Sequence, residues 1–312
     1  MRHWIDHHPD HPVPNKDGTG GTAAKYGVTI EGAKDPVRQK LHDEIISKHF
    51  DHVEPVAHGY TPVAIVTMGG PASGKSTALE KLGFAGRDNF VQVDPDAIKT
   101  GEKHLDTPGL PEYHQAVNMG YLADGTPVSA KSGAAVVHQE SSFIADKLRE
   151  KAIAAKKHLI IDGTGKNAAN HIALVQHLKS QGYHVHLVMP HQTVENADKL
   201  NHARAIGEGR YVPDDIVHSA YAQIPHNFEA VAKHADTADL FDATKGFPPK
   251  HMWSKRGPKQ ESVKDPQAWR AFRSAHGPEK IQKSQREGAA LTLRPRGVYI
   301  DTVRRTPWAR KR

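Results

Sequence analysis

Short apolar runs recur along the chain at wide intervals: Val63–Met68, Phe90–Val93, His158–Ile161, His184–Met189 and Asp239–Phe241. Between and after them lie stretches with helical patterns: Ser76–Leu82, Val136–Ala155, Ala168–Gln181, Val194–Ile206 and Asp214–Ala235. This alternation predicts an α/β fold with about five parallel strands, covered by helices on both faces. Ahead of the first run, Asp35 as N-cap and Pro36 in the first turn open a predicted helix, with Val37, Leu41 and Ile45 as its apolar face. Residues 1–35, rich in His, Pro, Gly and Asp, read as an irregular arm. Residues 101–135 are punctuated by Gly and Pro and read as a long excursion between two strands, the kind of loop that is usually functional. Beyond Phe247 the sequence reads as a breaker-rich, basic linker, with some helical potential around Pro266–His276 and an Arg-rich end. The expected parts are therefore an arm (1–35), one α/β domain (36–250) and a basic extension (251–312).

Composition adds limits. With 312 residues, 37% of them hydrophobic, the chain can bury a sizeable core. No apolar run approaches the roughly 18 residues of a membrane span. The start has no apolar signal core, so a cytoplasmic protein without membrane contact is expected. Cysteine is absent, which excludes disulfides and thiolate metal sites. The formal charge of +7 is unevenly spread: residues 251–312 hold sixteen Lys and Arg against five Asp and Glu, so the rest of the chain is slightly acidic.

The chemistry begins at the end of the first run. Gly69, Gly74, Lys75 and Ser76 satisfy the Gly-x-x-x-x-Gly-Lys-Ser/Thr spacing of a P-loop. A loop around a pyrophosphate must turn several backbone N–H groups inward, and glycines permit that path. The expected cradle comprises Gly69, Gly70, Ala72, Ser73, Gly74, Lys75, Ser76 and Thr77. Lys75 is placed for the β- and γ-phosphates and Ser76 for Mg²⁺. The preceding strand and the following helix pattern favour a nucleoside triphosphate site over a structural glycine turn.

Asp94 and Asp96 follow the second strand, where parallel sheets present ligands. Asp94 precedes Pro95 and fits a helix N-cap; Asp96 fits an acid that deprotonates a substrate hydroxyl. Asp162 ends the third strand and suits a second Mg²⁺ contact, although a local turn role also explains it. Lys166 brings a cation to the same edge. Glu140 shares a helix face with Ile144 and Leu148, where a carboxylate needs a partner or a task; its early helix position offers a dipole explanation instead. Arg204 lies on a helix face with Ala197 and Leu200, and Arg210 sits in a Gly-flanked turn suited to closing over phosphates. Ordinary solvated helix ends are the alternative for both. The 23 histidines show no His-Glu-x-x-His spacing, and no transition metal is expected; His184 and His186 share one strand face.

Taken in order, "RQKLHDEII", "MGGPASGKST", "VDPD", "HQESS", "IIDGTGKN" and "HARAIGEGRYVP" resemble the zeta-toxin family of P-loop kinases, from about Asp35 to Lys245. The resemblance implies a parallel-sheet kinase fold that uses ATP and Mg²⁺ to phosphorylate the 3′-hydroxyl of UDP-N-acetylglucosamine, with an antitoxin protein as partner. It implies that Lys75 and Ser76 are the phosphate lysine and the metal-binding hydroxyl, and that Asp96 is the acid activating the acceptor. It further implies that Glu140 and Thr164 bind substrate and that Arg204 and Arg210 face the phosphates. The sequence departs from several members in having Asp at 162, and from some in having Lys at 166. Other acceptors remain open: a polynucleotide 5′-hydroxyl, NAD or an antibiotic. So does a non-catalytic, nucleotide-dependent interaction module. Trp253, Trp269, Tyr299 and Trp308 among the cations of 251–312 make nucleic acid a candidate partner of that stretch.

Overall fold

The computed structural model describes residues 20–84, 88–102, 105–117, 134, 136–208, 212 and 214–276, with the backbone alone for 115–117 and 204–208. Seven strands form one sheet: β1 (Val63–Thr67), β2 (Val91–Val93), β3 (Leu159–Ile161), β4 (His184–His191), β5 (Thr237–Asp242), β6 (Lys250–Lys255) and β7 (Glu261–Val263). Their spatial order is β2-β3-β1-β4-β5-β6-β7. The first five are parallel; β6 then pairs antiparallel with β5, and β7 antiparallel with β6. The expectation of about five strands holds for the parallel part and misses the last two.

Ten helices complete the described residues: α1 (Gly21–Lys25), α2 (Pro36–Phe50), α3 (Lys75–Lys81), α4 (Pro95–Thr100), α5 (Pro111–Val117), α6 (His138–Ala154), α7 (Ala168–Ser180), α8 (Val194–Glu208), α9 (Asp214–Ala232) and α10 (Pro266–His276). None is long and apolar enough to cross a membrane. From β1 the chain moves to one side of the sheet, and from β3 to the other. The crevice beyond the carboxyl ends of β1 and β3 is thus a topological switch point, where open α/β sheets bind ligands. β1 and β3 are buried on both faces, Ile65 and Leu159 completely, which explains their unbroken apolar sequence.

Three stretches depart from expectation. Within the supposed arm, Thr22 and Ala23 of α1 are buried, and Gly20 N–H donates to Gln139 Oε1 at 2.7 Å; residues 1–19 lie outside the described residues. In α2, Asp35 caps the first turn as expected, accepting from Arg38 N–H at 2.7 Å. Its inward face, however, is Arg38, His42, Ile45, Ile46 and His49, while Val37 is 78% exposed. Arg38 and His42 face inward because their partners, Glu112 and Glu140, lie far along the chain on α5 and α6.

The third departure is the supposed linker, which forms β6, β7 and, with α10, a cover for the sheet. Trp253 packs edge-on to Phe228 at 5.6 Å, and Phe272 is buried beside them. Basic residues of that stretch have partners elsewhere in the fold. Lys255 Nζ donates to the carbonyl of Ala232, the last residue of α9, at 2.8 Å and to that of Ala235 just beyond it at 2.7 Å. Arg256, His251 and His186 all surround the buried Asp239 carboxylate, at 2.7, 2.7 and 3.0 Å. Burial alone would push Asp239 up, but these donors outweigh it and hold it well below the usual carboxylate range.

Candidate active site

The chain leaves β1 at Thr67, and Met68 N–H still bonds the carbonyl of Val188 on β4 at 2.8 Å. The loop then turns through Gly69–Gly74 into α3. Two aromatic rings bound it. A Cβ on Gly70 would lie 2.5 Å from the Tyr221 ring, and one on Gly74 (φ 91°) would lie 2.3 Å from Phe247 Cε1. Only glycine fits either place. Tyr221 also donates its hydroxyl to the Pro71 carbonyl at 2.9 Å, fixing the loop from α9. Ala72 takes φ 60°, a left-handed conformation unusual for a residue with a side chain.

Lys75 opens α3 and folds back across the loop. Its Nζ donates to the Gly69 carbonyl at 3.0 Å and sits 3.4 Å from Asp162 Oδ2. Thr67 organises the opposite wall: its hydroxyl donates to Asp162 Oδ1 at 2.9 Å and accepts from Gly163 N–H at 3.1 Å. Gly69 N–H reaches the Thr164 carbonyl at 2.9 Å, so the loop after β3 lies directly on the cradle. Thr164 and Lys166 are exposed there, and Asn227 of α9 holds the segment through the Gly165 and Lys166 carbonyls. The hydroxyl residue ending β1 was the only sequence signal for Thr67.

The end of β2 supplies more carboxylates. Asp94 caps α4, accepting from Asp96 N–H at 2.8 Å, which fits its reading as an N-cap. Its carboxyl is pushed up to about 6, first by burial and then by the negative charges of Asp162 and Asp96. Asp96 is exposed on its outer side and accepts from Lys99 Nζ at 2.7 Å. Lys99 is buried, and the same Nζ lies 3.3 Å from His138 Nδ1 at the start of α6. Burial first, and the Lys99 charge second, lower the His138 pKa. Sequence reasoning missed Lys99, which looks like one more helix lysine until its burial is seen.

Glu140 is placed differently. It is fully buried, and both oxygens are engaged: Oε1 by Arg38 Nε and His42 Nε2 at 2.6 Å each, Oε2 by Arg38 Nη2 at 2.7 Å. Arg38 also reaches Glu112 at 2.8 Å, and Glu112 accepts from Tyr26 at 2.7 Å. The partner that the buried stripe demanded is therefore within the fold, on α2. Arg204 lies on α8, its side chain outside the described residues, as is Arg210 altogether.

Among the described residues, no three His, Asp or Glu side chains close into a metal cage. Mg²⁺ does not need one, since it is commonly held by one or two carboxylates, water and substrate phosphates. Carboxylates crowded enough to raise Asp94, with the Ser76 hydroxyl at the start of α3, fit such an ion.

A family profile described as Zeta toxin matches residues 47–245, more than half of the chain. No curated protein matches it in sequence. Among solved structures, it resembles a chain of the AvrRxo1-ORF1:AvrRxo1-ORF2 complex with sulphate ions, at TM-score 0.61 and 18% identity, over 84% of this chain and 80% of that one. The same complex with ATP gives a TM-score of 0.60 at the same identity and coverage. A chain of the PezAT chromosomal toxin–antitoxin system of Streptococcus pneumoniae matches at TM-score 0.51 and 15% identity, over 85% and 98% of the two chains. At such identities the likeness is one of fold.

Proposed function

The chain belongs to the Zeta toxin family, and from that premise we propose that it is an ATP-dependent kinase transferring the γ-phosphate to a hydroxyl of a nucleotide sugar such as UDP-N-acetylglucosamine. One observation carries the reading. The P-loop lysine, held between Gly69 O and Asp162, and the β2-end carboxylates Asp94 and Asp96 meet in a single crevice at the switch point.

The loop amides from Gly69 to Gly74 and the Ser76 and Thr77 end of α3 receive the triphosphate. Lys75 exchanges its carbonyl and carboxylate contacts for the β- and γ-phosphates. Ser76 and Asp162 would hold Mg²⁺, which would offset the phosphate charge when bound. Asp96 accepts the proton of the attacking hydroxyl while Lys99 fixes its position. Thr164 and Lys166, exposed beside the cradle, contact the acceptor. Arg204 and Arg210 meet the transferring phosphoryl group with their planar forks. A direct contact of Glu140 with the acceptor requires Arg38 and His42 to release it; held as it is, it shapes the start of α6 beside His138. An antitoxin-type protein is the proposed partner, in line with the AvrRxo1-ORF1:AvrRxo1-ORF2 structure and the PezAT toxin–antitoxin system whose fold it resembles, and the cytoplasm the proposed compartment.

The test is incubation of the full chain with ATP, Mg²⁺ and a panel of UDP-sugars, NAD, aminoglycosides and 5′-hydroxyl oligonucleotides, read by mass spectrometry for added phosphate. Phosphate on a UDP-sugar is expected, and its loss in Lys75→Ala without a change in melting temperature. Phosphate on another member of the panel would replace the acceptor. ATP bound with no product anywhere would favour an interaction module.

A further inference from the structure

Phe247 is among the few large hydrophobic side chains left exposed by the described fold, at 45%. It is not on a remote surface. Its ring lies against Gly74, so close that a Cβ there would be 2.3 Å from Cε1 and 3.0 Å from Cζ. Gly74 directly precedes Lys75 and Ser76, so the ring forms the outer lip of the phosphate cradle.

The turn that carries Phe247 is braced. Asp242 accepts from the backbone N–H and the hydroxyl of Thr244, at 2.9 and 2.6 Å. Asn196 of α8 donates to the Thr244 carbonyl at 2.8 Å, and Gly246 N–H closes onto the Ala243 carbonyl at 3.1 Å. A Cβ on Gly246 would meet nothing within 4 Å, so the turn next to Phe247 is uncrowded. Tyr221 makes the contrast clear. It is the other ring on the loop, but it is buried and hydrogen-bonded to Pro71, as a purely structural clamp would be.

An aromatic ring carried on a braced turn at the mouth of an anion cradle, with part of its surface left in water, matches a ligand having phosphates at one end and a flat ring at the other. We infer that Phe247 is the stacking platform for the base of the bound nucleoside triphosphate, and that its π-surface favours purines over pyrimidines. The inference rests on the phosphate-cradle reading of the P-loop. The cradle grips the triphosphate whatever the base, and Phe247 adds the contact that depends on it.

Calorimetric titration of the full chain with ATP, UTP and inorganic tripolyphosphate, each with Mg²⁺, separates the two readings. Wild type should bind ATP more tightly than UTP. Phe247→Ala should weaken ATP about tenfold, narrow the ATP–UTP difference and leave tripolyphosphate within about twofold. Phe247→Trp should restore ATP binding. Unchanged ATP affinity in Phe247→Ala would overturn the platform and leave the cradle standing. Equal weakening of ATP and tripolyphosphate would also overturn it, making the ring a support for the Gly74 turn. Failure of wild type to bind any of the three would overturn the cradle as well.

Discussion

Two clusters of acid and base lie on neighbouring elements and have opposite electrostatics. In the first, Arg38, Glu112, Glu140 and His42 join α2, α5 and α6. There, burial would raise Glu140, but the donors from Arg38 and His42 prevail and hold it at about 2. In the second, Asp94, Asp96 and Asp162 share the crevice with Lys75 and Lys99, and Asp94 is driven up to about 6. One cluster is satisfied within the fold, and its charges stabilise it. The other leaves Asp94 under negative charge that Lys75 offsets only in part, the condition expected of a site that still has a ligand to receive.

The comparison can be broken at either end. The largest expected effect is that of Asp96→Asn, which should lower turnover by roughly 10²–10⁴ while ATP affinity and melting temperature stay near wild type; unchanged turnover would move the proton acceptor elsewhere. Glu140→Gln should behave in the reverse way, with stability falling by about 3 kcal/mol in denaturant melts because Arg38 and His42 lose a buried counter-charge. A soluble, fully stable Glu140→Gln protein with lost activity would show instead that Glu140 belongs to the site.

Asp94→Asn sharpens the contrast through pH. A raised carboxyl favours folding below about pH 4, and that contribution is lost as pH rises through about 6. Asn retains the N-cap, so the variant should be more stable than wild type above pH 6, by on the order of 1–3 kcal/mol, and no more stable below pH 4. Melting curves across that range would expose a flat difference if the crowding were unimportant. Smallest of all, Ala72→Gly should relieve the left-handed φ and gain about 0.5 kcal/mol, the relief partly offset by the freedom glycine adds to the unfolded chain. A loss of stability would place Ala72 in a contact of its own.

What the chain revealed in advance follows from range. The P-loop, the Asp35 and Asp94 caps and the parallel strands are set by residues within a turn or two of each other, and these were legible. The position of Glu140 on a buried stripe was legible too, but not its partner, since Arg38 lies 102 residues away. The same separation hid the inward polar face of α2. Lys99 and Phe247 gave no signal because a lysine in a helix and a phenylalanine between glycine and proline are ordinary until the burial of one and the exposure of the other are seen.

The two antiparallel strands have a practical consequence for where this chain can be cut. β5 is buried along almost all of its length, and without β6 its hydrogen-bonding edge and the Leu240 face would be open to any other extended chain. β7, short and carrying Glu261 and an exposed Val263, is a far poorer template for such pairing. A truncation before Lys250 that aims only to remove basic residues would therefore yield a self-associating protein, whereas one placed after His276 leaves the sheet's edge closed.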